Sequence, residues 1–225
     1  MAGLLPAALP LLAQSPEMQQ KVYDVKQSLA WNKQALAQYT WTEQDIISIN
    51  GEEKKEEMFN VRLGPDGRDQ KTPVDPNSMS DDERHRHGLR ARVKEKKIDE
   101  YKEYADAIKA LIKQYVPPDP EKLQQLYHQG NIMIGPEGGS PDQYKLVISN
   151  YLKPGDSVTV VMSKSQKALV MVSIATYLSD PSDAVKMDVL FSQLPGGPNH
   201  VATGTVNGVS KHLTIVVQNS NYQHM

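Results

Sequence analysis

The chain has 225 residues (25.1 kDa), 39% of them hydrophobic and 23% charged, which fits one large domain or two small ones and excludes a disordered tail. Lys and Arg number 25 against 27 Asp and Glu, so the formal charge is -2 and no global field draws the chain to nucleic acid or membrane; any charge effect is local. Cys is absent, which removes disulfides, thiolate metal sites and Cys nucleophiles.

Residues Gly3 to Ala13 form an apolar stretch, GLLPAALPLLA, followed at once by Gln14, Ser15 and Pro16. Its length suits the apolar core of a secretory signal and falls far short of the ~20 residues that span a bilayer. On that reading residues 1–13 are a signal remnant, and residues 14–225 form one domain that is periplasmic or secreted. Leu11 is large for its place before the cut, and no Lys or Arg precedes Gly3.

From Met18 to Tyr39 the positions Met18, Val22, Val25, Leu29, Leu36 and Tyr39 recur at helical spacing. The period then changes to two: Tyr39, Trp41, Ile47 and Ile49 share one parity of a long strand, and Thr40, Thr42, Gln44 and Ser48 the other. Asn50-Gly51 is a hairpin signal, and Phe59, Val61 and Leu63 continue the alternation on a second strand. Gly64-Pro65-Asp66-Gly67 turns the chain again into a short third strand near Arg68 to Val74.

Asp75 to Gly88 is a polar loop, and a helical stripe returns from Arg90 to Val116, carried by Val93, Tyr101, Tyr104, Ile108, Leu111, Ile112 and Tyr115. Pro117-Pro118 stops it. Asp119-Pro120-Glu121 reads as an N-cap with Pro at the first helical position, opening a short helix that Gly130 closes. This makes a helical insertion at about 80–130. Beyond Gly130 the text is β throughout, with strands near 131–134, 144–151, 157–163, 168–178, 185–194, 200–206 and 211–218, and Asn207-Gly208 among the separators. Strands this close together need hairpins, so the sheet is antiparallel. Ala168 to Ile174 is apolar on both parities, and so requires cover on both faces, from helices on one side and from the curve of the same sheet or an apolar ligand on the other.

The sequence nominates no catalytic residue, cofactor or metal site. His85-Arg86-His87 sits among arginines that oppose a cation, no nucleophile turn of the Gly-x-Ser-x-Gly kind occurs, and Gly135-Pro136-Glu137-Gly138-Gly139 lacks the helix and Lys of a phosphate cradle. Arg84 to Lys97 holds seven basic residues against Glu95, a local +6 that suits anionic head groups or a partner, but no aromatic residue interleaves it for nucleic-acid stacking.

The helix leading into Tyr39-Thr40-Trp41-Thr42-Glu43, the Asn50-Gly51-Glu52 hairpin, the Phe59 to Gly67 strand and turn and the Tyr151-Leu152-Lys153-Pro154-Gly155-Asp156-Ser157 turn give a layout that resembles the periplasmic lipoprotein-carrier fold. Tyr39 to Glu43 and Tyr115 to Pro120 are also similar to stretches of uncharacterised secreted bacterial proteins. The carrier resemblance implies an α+β fold, a curved antiparallel sheet forming an incomplete β-barrel under a few helices, and a non-enzymatic binding protein that holds an apolar ligand such as a lipid or a lipoprotein acyl chain. The aromatic and apolar residues Tyr39, Trp41, Phe59, Val61, Tyr101, Tyr104 and Ile108 are the candidates to line that cavity, or else to form a self-filled core. In the alternative reading the chain is an envelope interaction or scaffold protein that docks a partner protein or an anionic membrane through residues 84–97, with Arg90, Arg92, Lys94 and Lys96 as the contact residues.

Overall fold

The computed structural model describes residues 31–75, 89–115 and 119–225. Ten strands are present: β1 (Tyr39–Ile49), β2 (Glu52–Leu63), β3 (Asp69–Pro73), β4 (Ile132–Pro136), β5 (Gln143–Ser149), β6 (Ser157–Ser163), β7 (Ala168–Tyr177), β8 (Ala184–Gln193), β9 (Asn199–Gly208) and β10 (Leu213–His224). They form one sheet in the order β3-β2-β1-β10-β9-β8-β7-β6-β5-β4, every neighbouring pair antiparallel. Two helices follow β3 in the chain, α1 (Leu89–Ile112) and α2 (Pro120–His128), and residues 31–36 are also helical.

This corrects the expected α+β class. The molecule is dominated by a single large antiparallel sheet that does not close, with β3 and β4 as its two edges among the described residues. Two features of the chain account for the difference. The helical stripe drawn through Tyr39 overran, because residue 36 ends the helical stretch and Tyr39 already pairs with His224 in the sheet. Strands also continue where hydrophobicity fades: β2 begins with Glu52 to Glu57 and β10 runs on through Gln218 to His224, polar stretches held by ladder hydrogen bonds rather than apolar burial. The signal segment and the stripe from Met18 to residue 30 lie outside the described residues.

The inner face is set by α1. Tyr104, Ile108, Leu111 and Tyr115 recur at helical spacing and are at most 9% exposed, packed with Leu126 of α2 against Ile148, Val158, Ile174, Val185, Met187 and Leu213. These strand residues lie toward the end of the sheet that carries the turns at 50–51, 150–156, 178–183 and 209–212, here called the helix end. At the opposite, far end are the turns at 64–68, 137–142, 164–167 and 194–198.

Local chemistry fixes the helix there. Asp119 caps α2, its carboxylate accepting from Glu121 N at 2.9 Å and Lys122 N at 3.4 Å, with Pro120 opening the helix. Just past α1, the Tyr115 hydroxyl donates to Asp156 Oδ2 at 2.6 Å, which also accepts from the Leu152 and Lys153 amides of the β5–β6 turn. Thr176 Oγ1 lies 2.6 Å from the same hydroxyl, and with the phenol proton spent on Asp156 its own hydroxyl is the donor. Nearer the start of α1, the Tyr104 hydroxyl donates to Asp183 at 2.9 Å.

Asn50-Gly51 is a turn as read, with φ of 54° and 77° at its two residues. Asn207-Gly208 is not. Strand β9 runs through Gly208, and the turn falls at Val209 to His212, where His212 has φ 48°. Gly208 serves packing: a Cβ there would stand 2.6 Å from Tyr104 Cε1 and 2.7 Å from Ile108 Cδ1. The double-sided apolar run of β7 has a similar local answer, since Ile174 faces α1 while Met171 lies in a cross-strand row with Val161 and Leu190 on the opposite face.

Two predictions follow from the helix seat. Gly208→Ala should cost about 1–3 kcal/mol through overpacking, whereas Gly204→Ala, whose Cβ would meet Val217 at an ordinary 3.9 Å, should stay within about 0.5 kcal/mol of the parent in urea unfolding. Burial, then the bond to Asp183, pushes the Tyr104 phenol up from 10.0 to about 12. The folded state therefore holds this proton longer than the unfolded chain, its contribution to stability is complete below pH 10 and is lost as pH rises toward 12, and Tyr104→Phe should flatten that part of the stability profile.

Candidate functional site

Strand β1 sends residues 39, 41, 43, 45, 47 and 49 to one face by simple alternation. Ile47 and Ile49 join the core under α1. Toward the far end the same face carries Trp41, 5% exposed, and then two acids, Glu43, 4% exposed, and Asp45. Register places Val61 and Phe59 of β2 beside Trp41 and Glu43, Lys71 of β3 beyond Val61, and Asn219 of β10 opposite Glu43. A β-bulge between Thr40 and Thr42, with Asn221 at φ 54°, turns Tyr222 onto Trp41. Their rings stack at 5.5 Å and 17°, and His200 of β9 lies 4.1 Å from the other ring neighbour, Tyr222.

Lys71 organises the charges. Its ammonium donates to Glu43 Oε1, lies 3.8 Å from Asp45 Oδ2, and sits 5.5 Å above the Phe59 ring. Burial works against its charge, but the hydrogen bond to Glu43 and the charges of Asp45, Glu43 and Asp69 outweigh it, so its pKa moves up and the amine stays protonated. It is therefore neither a nucleophile nor a base at neutral pH. Burial raises the pKa of Glu43 above the ordinary carboxylate value against the pull of Lys71, and burial also raises that of Asp69. Tyr222 is held protonated, first by burial and then by the charges of Asp69 and Glu43.

Three buried polar atoms on this face have no hydrogen-bond partner among the described residues: Trp41 Nε1, Asp45 Oδ1 and Asn219 Oδ1. The Asn219 amide nitrogen is spent on the Val201 carbonyl at 3.1 Å, which His200 Nδ1 and the Tyr222 hydroxyl also approach, at 3.0 and 3.4 Å. A carbonyl offers two lone pairs, so Tyr222, the longest contact, is the donor most free to bond elsewhere.

The seven nominated cavity residues do not form one lining. Trp41 and Val61 are buried and Tyr39 and Phe59 half-buried at the far end, with Tyr39 edge-on to His224 at 5.1 Å. Tyr104 and Ile108 are core residues at the helix end, and Tyr101 lies there beneath Lys211. That end is filled by its own side chains; an open hollow of about 500 Å³ beside it is lined by residues in and next to the turns, such as Asn50, Val209 and His212, and by none of the seven. Arg90, Arg92 and Lys94 fall on the first turns of α1 with side chains outside those described, and Lys96 is exposed. Glu43, Asp45, Lys71, Asn219, Tyr222 and His200 were missed. The available signal was two acids occupying positions 43 and 45 inside an otherwise inward stripe.

Removing the cation tests the charge arrangement. Lys71→Met leaves the Glu43 carboxylate buried without a counter-charge and should cost about 3 kcal/mol at pH 7. The loss should shrink as pH falls through the raised Glu43 pKa and the carboxyl takes a proton, and the Glu43→Gln/Lys71→Met double variant should recover most of it at neutral pH. Urea midpoints at pH 7 and pH 5 check both.

No protein-family model matches the chain. No curated protein matches it. Among solved structures it is similar to the crystal structure of a DUF1329 family protein from Desulfovibrio piger, with 11% identity over 90% of this chain and 92% of that one and a TM-score of 0.41, and no residue role is taken from that likeness.

Proposed function

We propose that this chain is a non-enzymatic, periplasmic or secreted binding protein that seats an amphipathic ligand at the far end of the inner face, its apolar part against Trp41, Val61 and Phe59 and its polar part on the Glu43, Asp45, Lys71 and Asn219 side chains. The observation that carries this reading is the set of polar atoms without a partner among the described residues, Trp41 Nε1, Asp45 Oδ1 and Asn219 Oδ1, on adjacent strands of one face. A buried polar atom left unpaired costs about 1–3 kcal/mol, and three together beside an aromatic stack are a standing invitation to a molecule that can pair them. The apolar stretch from Gly3 to Ala13 supports the compartment. The self-filled core under α1 argues against a long acyl tunnel beneath the helix and in favour of this smaller, polar-ended site.

The test uses N-phenyl-1-naphthylamine, a weakly basic apolar fluorophore uncharged at pH 7. Full-length protein should enhance its emission, Trp41→Ala should lose at least tenfold in affinity, and Ile108→Val, altered at the helix end, should bind like the parent. No enhancement, together with no small molecule retained in native mass spectra of protein taken from its own cell envelope, would overturn the reading.

A further inference from the structure

The chemistry of the far-end site also selects the polar group of its ligand, an inference that rests on the binding reading above. Three carboxylates, Glu43, Asp45 and Asp69, gather around one ammonium, Lys71, and that ammonium is already committed to Glu43. Of the neighbouring cations among the described residues, Lys55 pairs with Glu57 at 3.0 Å, and the Lys33 side chain reaches the turn at Gly67. An anionic head group would meet uncompensated carboxylates. A metal ion is also a poor fit, since among the described residues no three His, Asp or Glu side chains converge as ligands.

The unpaired atoms are more specific than the charge. Among the described residues Asp45 Oδ1 and Asn219 Oδ1 are acceptors that lack donors, and Trp41 Nε1, on a side chain only 5% exposed, is a donor that lacks an acceptor. Beside them is the aromatic stack of Trp41 and Tyr222, whose ring electrons favour a cation. We infer that the site receives a protonated amine carried on an apolar chain or ring, its N–H groups donating to Asp45 and Asn219 beside the Trp41–Tyr222 stack, with Trp41 Nε1 donating to an oxygen of the ligand close to the amine. This class covers amino alcohols and amine-bearing lipids alike.

The experiment compares octylamine, octanol and octanoate at pH 7, in full-length protein carrying Trp31→Phe so that Trp41 is the sole tryptophan reporter. Trp31 is 56% exposed, which makes that background change harmless to the core. Titrated by Trp41 fluorescence, octylamine should bind at least tenfold tighter than octanol, and octanoate more weakly still. Asp45→Asn should bring octylamine down to the affinity of octanol and leave octanol unchanged; should that variant not fold, Asn219→Asp, which adds a carboxylate, should instead widen the preference for the amine. Equal binding of octylamine and octanol, or an amine preference indifferent to both variants, would overturn the amine inference and leave the binding site standing. Failure of all three probes while N-phenyl-1-naphthylamine still binds would overturn the amine inference alone, and failure of that fluorophore as well would overturn both.

Discussion

The two edge strands of the sheet, β3 and β4, are consecutive in the chain yet lie nine strand spacings apart, so one connection must travel from edge to edge. At ~4.8 Å per spacing that is about 43 Å, and the 24 residues of α1 supply about 36 Å at 1.5 Å each. A helix of this length nearly matches the width it has to cross. Because α1 covers the sheet at its turns, the inner face divides along the strands: Ile47, Ile49, Leu213 and Val206 are apolar beneath α1, and farther along the same three strands come Glu43, Asp45, Asn219 and His200. The polar site is the part of the face that the crossing helix does not fill.

This division changes how the aromatic residues are understood. Tyr104 and Tyr115 spend their hydroxyls on Asp183 and Asp156, carboxylates in the turns at the helix end, and so pin α1 to the sheet margin. Trp41 and Tyr222 stack on each other instead, and the Trp41 indole nitrogen has no hydrogen-bond partner among the described residues. Aromatic residues thus act as a clamp at one end and, in the proposed reading, as a receiving surface at the other. Hydrophobicity alone does not separate the two uses, because the distinction lies in the partner of the polar atom.

Much of the fold was legible where physics is local. Alternation located β1 and β5 to β9, Asn50-Gly51 marked a turn, and Asp119-Pro120 marked the start of α2, each a rule acting within a few residues. What escaped was set at a distance. The pairing of β1 with β10 joins the two ends of the chain, and no local pattern announces it. Lys71 meets Glu43 across two intervening ladders, so their pairing becomes visible only once three strands are in register. Asn207-Gly208 misled for the same reason: a glycine required by a helix about a hundred residues away looks in the sequence like a glycine required by a turn. Glu43 and Asp45 were in plain view, but a rule that puts apolar residues inside passes over acids that share their parity.

An open sheet exposes two rows of unpaired backbone donors and acceptors, which are templates for a foreign strand and for fibril growth. Here both margins are guarded alike. β3 and β4 are each five residues long, shorter than every other strand, and each ends in proline, Pro73 and Pro136. Proline has no amide proton to offer a newcomer, and so few residues give an incoming chain little ladder to hold. Gly135 before Pro136 weakens the already brief β4 further. The protein can thus keep a broad, unclosed sheet without inviting its own polymerisation.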